Sequence, residues 1–115
     1  MEKKDLLKDV IKHIDIKSYN STELVDAMRN MSFTSRDTAR AADILMMMCK
    51  EKECTNILTL AGSTSAAGCM QVYVDMVRNK MIDVVVATGA SIIDMDLFEA
   101  LGFKHYLGEK ENVIP

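Results

Sequence analysis

The chain has 115 residues, 49% of them apolar, with 14 basic and 17 acidic side chains and a formal charge of −3. This composition describes one globular domain at most and is too apolar for a disordered chain. The charges are mixed along the sequence with no basic run to track a phosphate backbone, so nucleic acid is not an expected partner.

The opening MEKKDLLKDVIKHIDI has no apolar leader core, and the longest apolar run, Ile44 to Cys49, falls far short of the roughly 20 residues of a membrane span. A soluble, cytoplasmic protein without a membrane partner is expected. Cys49, Cys54 and Cys69 are odd in number and lack a CxxC spacing, which suits reduced, buried thiols better than disulfides or a metal site. The ten methionines concentrate on predicted helices, where flexible thioethers fill core and interface space.

Residues 1–20 read as an extended N-terminal arm in which Val10, Ile11, Ile14 and Ile16 pack; His13 and Asp15 read as a surface pair. Asn20, Ser21 and Thr22 offer a cap for a short helix through Met31. Thr34, three residues before Asp37, resembles a capping box for a second helix from Ser35 to about Lys50. On that helix Arg36 and Arg40 have the spacing to grip an anion, but ion pairs of Arg40 with Asp37 or Asp43 are the better expectation.

Two strand-turn-helix units follow. The first runs from an apolar strand, Ile57 to Leu60, through a small-residue turn, Gly62 to Ser65, into a helix opening at Ala66. The second runs from Val84 to Ala87 through Thr88-Gly89-Ala90-Ser91 into a helix beginning near Asp94 and ending at Gly102, with Phe103 to Leu107 able to start another strand. Such a succession predicts an α/β fold, a Rossmann-like parallel sheet with flanking helices, in which both turns face one crevice beyond the carboxyl ends of the strands. Residues 21–115 would form this domain, in partial form. Two or three strands cannot bury a nearly apolar sheet and a helix whose only polar stripe is Gln71, Asp75, Arg78 and Asn79. The remaining strands are expected from a partner chain or from a longer enzyme.

Gly62-Ser63-Thr64-Ser65-Ala66-Ala67-Gly68 combines small side chains with a helix start, which suits an anion such as a pyrophosphate. It is neither GxGxxG nor a Walker loop, and a tight strand-helix connection explains it equally well. Asp94 and Asp96 fit a helix N-terminus, as a cap and as a charge facing the dipole; holding a cationic amine is the lesser reading from pattern alone.

Taken together, TLAGSTSAAGCM, MIDVVVATGASIIDMD and LFEALGFKHYLG resemble the deoxyhypusine synthase family across roughly residues 9 to 108, with HIDI and MSFTSRD closer to its bacterial, homospermidine-synthase-like or agmatine-using branch. The resemblance implies a Rossmann-like homotetramer with NAD at subunit interfaces, catalysing NAD-dependent transfer of an aminobutyl-type group from a polyamine or agmatine. Hydride removal beside an amine makes an electrophile that a catalytic lysine captures as an imine, before transfer to an acceptor amine and reduction. The acceptor is left open among an initiation-factor lysine, putrescine and a second agmatine. By analogy Gly62, Ser63, Thr64, Ser65, Ala66, Thr88, Gly89 and Ala90 would meet NAD, and Asp94 and Asp96 the substrate amine. None of the lysines, Lys104 and Lys110 included, lies in the family's catalytic motif, which follows the matched region. The expectation is therefore an incomplete member, inactive alone, working as a homo-oligomer or with a complementary chain. The alternative is a non-catalytic subunit that completes the interface of a full-length paralogue.

Overall fold

The computed structural model describes residues 2–108. Lys110 and Val113-Ile114-Pro115 lie outside the described residues. The core of the architecture is a two-stranded parallel sheet. β1 (Ile57–Leu60) pairs with β2 (Val84–Ala87) in the register Ile57 to Val84, Leu58 to Val85, Thr59 to Val86 and Leu60 to Ala87. Both strands occupy the predicted residues, because a short β-branched run between turn signals has few other ways to satisfy its backbone. Before them come α1 (Lys3–Leu6), α2 (Thr22–Met28) and α3 (Phe33–Lys50). Between the strands lies α4 (Met70–Arg78), and after them α5 (Gly89–Ser91), a π-helical stretch Ile92–Leu97 and α6 (Phe98–Ala100) follow without a break. The result is the expected mixed α/β arrangement.

Asn56 closes the amino-terminal ends of the strands, a role its sequence position does not announce. It is 5% exposed; its backbone N–H donates to Asp83 Oδ2 at 2.8 Å and its Nδ2 to the Met81 carbonyl at 3.0 Å. Its own carbonyl accepts from the backbone of Asp83 and Val84. One buried amide thus ties the end of the α4–β2 loop to the start of β1.

Several local expectations are corrected. The helix of the first unit does not run smoothly from Ala66: a wide turn, Ser65–Cys69, contains Gly68 at φ +99°, and regular α4 begins only at Met70. The helix of the second unit begins at Gly89 rather than near Asp94, because the Thr88 carbonyl already accepts from Ser91 and Ile92. α3 begins at Phe33, and Thr34 does not cap it; Thr38 Oγ1 donates back to the Thr34 carbonyl instead. Asp43 pairs with Arg29, just past the end of α2, which also holds Asp26, and among the described residues neither Arg36 nor Arg40 forms an ion pair. Gly102 ends its helix as expected, at φ +93°, but residues 103–107 yield only a single antiparallel bridge, Tyr106 to Val10. The three cysteines are free as expected but not buried: Cys49 is exposed, and Cys54 and Cys69 are half-buried.

The N-terminal arm is more built than its sequence suggests. After α1 it crosses the molecule, makes a 3₁₀ turn at Ile16–Ser18 capped by the Asp15 carboxylate, and places Lys17 Nζ 2.8 Å from Asp75 of α4. Asp75, on the narrow polar stripe of α4, is 4% exposed beneath the arm. The hydrogen bond from Lys17 holds the Asp75 carboxyl below its ordinary range, and the same bond raises Lys17. The signs follow. A depressed carboxyl stabilises the fold above its unfolded value of 3.8 and loses that contribution as pH falls through the folded value. A raised ammonium stabilises below 10.5 and loses it as pH rises through its folded value. Denaturant midpoints measured from acid to alkali should therefore fall at both extremes in the native chain, and Lys17→Met should remove the alkaline fall. An alkaline fall that survives in Lys17→Met would show that this pair does not couple the arm to α4.

Burial is sparse. Among the described residues Ala39, at 1% exposure, is the one buried hydrophobic side chain, while Ile57, Val84, Val85 and Val86 of the sheet all stand exposed. The chain exposes 9226 Å², against roughly 6,300 Å² for a closed globule of this mass. The expectation that this sheet and its helices have more apolar surface than they can cover by themselves is met.

Candidate functional site

The two turns lie side by side at the carboxyl ends of β1 and β2. The Thr88 N–H donates to the Leu60 carbonyl at 3.2 Å, continuing the ladder past the strands. Ser91 Oγ then donates to the Gly62 carbonyl at 2.6 Å, joining one turn to the other. Ser91 is fully buried and Gly62 exposed, so the bond is shielded from water on the serine side. Gly62 holds φ +78°, a left-handed conformation that favours glycine, and the space a side chain would fill there is empty to 4 Å. A ligand can therefore approach that backbone closely.

Within the first turn, Ser63 is exposed, Thr64 and Ala66 are half-buried, and Ser65 is fully buried with no hydrogen-bond partner for its Oγ among the described residues. The Tyr73 hydroxyl donates to Thr64 Oγ1 at 2.8 Å, fixing the turn to α4. Within the second, Thr88 and Gly89 are exposed and Ala90 half-buried. Gly62 to Ala66 and Thr88 to Ala90 thus stand next to one another at one end of the sheet. Small side chains and helix starts, whose first N–H groups lack intrahelical partners, suit a phosphate-bearing ligand.

The two aspartates part company. Since the helix starts at Gly89, both lie beyond its first turn, where neither can cap it. Asp94 is exposed. Asp96 is half-buried, and its Oδ1 is shielded from water with no partner among the described residues. It lines a mainly apolar groove of about 360 Å³ with Leu60, Tyr73, Val77, Arg78 and Val85. A carboxylate oxygen left unpaired beside apolar walls is costly unless a donor or cation reaches it.

Sequence reasoning named the turn containing Ser91 but not its hydroxyl as the tie between the units, and it missed Tyr73. The signal for both was weak, since a serine in a small-residue turn and a tyrosine on an apolar helix have many packing roles.

Residues 23–113 match the family model described as deoxyhypusine synthase. The chain belongs to the deoxyhypusine synthase family. It is 65% identical over 105 residues to a deoxyhypusine synthase-like protein of Caulobacter vibrioides, covering 91% of this chain and 29% of that relative. It is 56% identical over 106 residues to a deoxyhypusine synthase-like protein of Coxiella burnetii, covering 92% of this chain and 30% of the other. A probable deoxyhypusine synthase 2 of Methanosarcina acetivorans is 39% identical over 95 residues, 83% of this chain and 27% of its own. The chain thus spans about 30% of the length of the curated relatives it matches. No solved structure matches it. Among the described residues no helix is long and apolar enough to cross a membrane.

Proposed function

We propose that the crevice between the two turns binds NAD, and that the chain contributes this binding half to an alkyl transferase of the deoxyhypusine synthase family acting on a polyamine or agmatine. The observation that carries the reading is the Ser91 to Gly62 hydrogen bond, which holds two small-residue turns together in a chain of this family. Gly62, Ser63, Thr64, Ser65 and Ala66 would hold the dinucleotide from one side and Thr88, Gly89 and Ala90 from the other. Bound NAD supplies reversible hydride acceptance from the carbon beside an amine.

The chain's own residues bind and orient. Asp96, with an unpaired oxygen in its groove, is the better ligand for a substrate ammonium or guanidinium; Asp94, exposed, would meet it nearer to solvent. None of the residues walling the crevice is a lysine, so we assign the imine-forming lysine to another part of the assembly, and predict no turnover from this chain alone. The acceptor amine stays open among a protein lysine, putrescine and a second agmatine. The uncovered face of the sheet that carries Ile57, Val84 and Val86 favours assembly with further copies or a complementary chain. The same face supports a second reading, a non-catalytic subunit completing the interface of a longer family member.

Calorimetry of NAD binding, with the mass in solution measured on the same sample, tests the proposal. Micromolar binding by an oligomer is expected. A folded oligomer that ignores NAD would sink the binding-half reading, and transferase turnover by the chain alone would sink the assignment of the lysine elsewhere. NAD binding that appears only on mixing with a longer family member would favour the second reading.

A further inference from the structure

The chain contains two histidines, and both contact one carboxylate. Glu99 Oε2 lies 2.7 Å from His13 Nε2 of the arm, and Glu99 Oε1 lies 2.8 Å from His105 Nδ1 of the C-terminal segment. The three side chains are well shielded, at 17% exposure for Glu99 and 20% for each histidine. Around this cluster the backbone pairs in both directions: Ile11 N–H donates to the His105 carbonyl at 2.9 Å, and Leu107 N–H to the Asp9 carbonyl at 2.7 Å. On the other side of the arm, Ile14 N–H donates to the Gly68 carbonyl at 2.9 Å. Residues 9–14 therefore touch the first unit at Gly68 and the second at Glu99.

We propose that residues 9–17 form a latch, closed by Glu99 between His13 and His105, which holds the first turn and the second helix in one frame and opens as a unit without loss of the sheet. Three observations support independent opening. The arm is joined to the rest of the molecule by hydrogen bonds and one ion pair, with Val10, Ile14 and Ile16 all exposed rather than anchored in a core. Beneath it lies a glycine, Gly68, over which the Lys12 carbonyl passes 3.2 Å from where a side chain would start. A groove lined by Val10, Ile11, Lys12, Ala67 and Leu107 runs under it. A segment so attached has a low local opening cost compared with a strand.

The cluster is a hydrogen-bonded clasp. Among the described residues no group of three His, Cys, Asp or Glu side chains is placed to hold a metal ion. Each imidazole offers an N–H to one carboxylate oxygen, so both oxygens of Glu99 are used. The groups facing Glu99 are His13 from the arm and His105 from the C-terminal segment; Asp96 lies one turn back on its own helix, and Lys12 and Lys104, beside the histidines in sequence, are exposed. Burial pushes the Glu99 carboxyl up, but the bonds from His105 and His13 outweigh it and leave it below its ordinary 4.5. With a depressed folded value, Glu99 stabilises the closed latch above pH 4.5 and releases it as pH falls through that folded value.

Residue-resolved hydrogen exchange at pH 7 tests the latch, comparing the amides of Ile11, Ile14 and Leu107 with those of Leu58 and Val86. In Glu99→Ala the three latch amides should exchange about tenfold faster or more, with the strand amides unchanged. Unchanged latch amides, or strand amides accelerated by the same factor, would overturn the proposal. Should that variant fail to fold, the native chain in low denaturant decides: latch amides that open at lower denaturant than strand amides support the latch, and a single common opening refutes it.

Discussion

Replacing Gly68 by alanine should destabilise the chain by about 2 kcal/mol and detach the arm, although the added group is one methyl. Gly68 sits at φ +99°, where an L side chain is strained, and the new Cβ would stand 3.2 Å from the Lys12 carbonyl oxygen. That oxygen belongs to backbone, which cannot swing aside as a flexible side chain would. Gly62 provides the comparison, since its φ of +78° carries the same kind of strain but open space surrounds its missing Cβ. Gly62→Ala should therefore cost about 1 kcal/mol from strain alone and leave arm protection unchanged. Denaturant midpoints for the two variants, with exchange at Ile14, separate the terms. Equal midpoints would mean that the arm's contact at Gly68 contributes nothing.

Ser91→Ala should lower stability by about 1 kcal/mol and weaken NAD roughly tenfold, the equivalent of about 1.4 kcal/mol. The stability loss is modest because Gly62 is exposed and its carbonyl can turn to water when the serine hydroxyl is removed. The affinity loss is larger because the hydroxyl holds two turns at one separation, and a ligand spanning them would otherwise have to order them on binding. Tyr73→Phe removes a bond of similar length, Tyr73 to Thr64, but that bond lies within the first unit. It should affect stability to a similar degree and NAD much less. Calorimetry on both variants makes the comparison, and equal losses of affinity would show that the tie between turns has no special part in binding.

The strands were legible in the sequence to the residue, because Ile57 to Leu60 and Val84 to Ala87 are short β-branched runs bounded by turns. The adjacency of the two turns followed from parallel topology alone. The helix starts were less legible. Capping patterns favoured Thr34 and Asp94, but a cap is worth about 1 kcal/mol, and Phe33 at φ +52° and the turn at Thr88 set the starts earlier. Least legible were contacts distant in sequence. His13 was read with its neighbour Asp15, whereas its partner is Glu99, 86 residues away. Asp75 was read on a polar stripe with no partner named, and only the path of the arm brings Lys17 over it. Local periodicity reports which face of an element is apolar, and carries no address for a side chain that crosses between elements.

Among the described residues β1 and β2 pair only with each other, so each strand has an outer edge of backbone donors and acceptors facing water. Together with the exposed Val84, Val85 and Val86, this makes the folded state of the sheet a matter of mass action, since any chain that docks there binds the native form and not the unfolded one. If further copies of this chain are what docks there, its stability rises with its concentration.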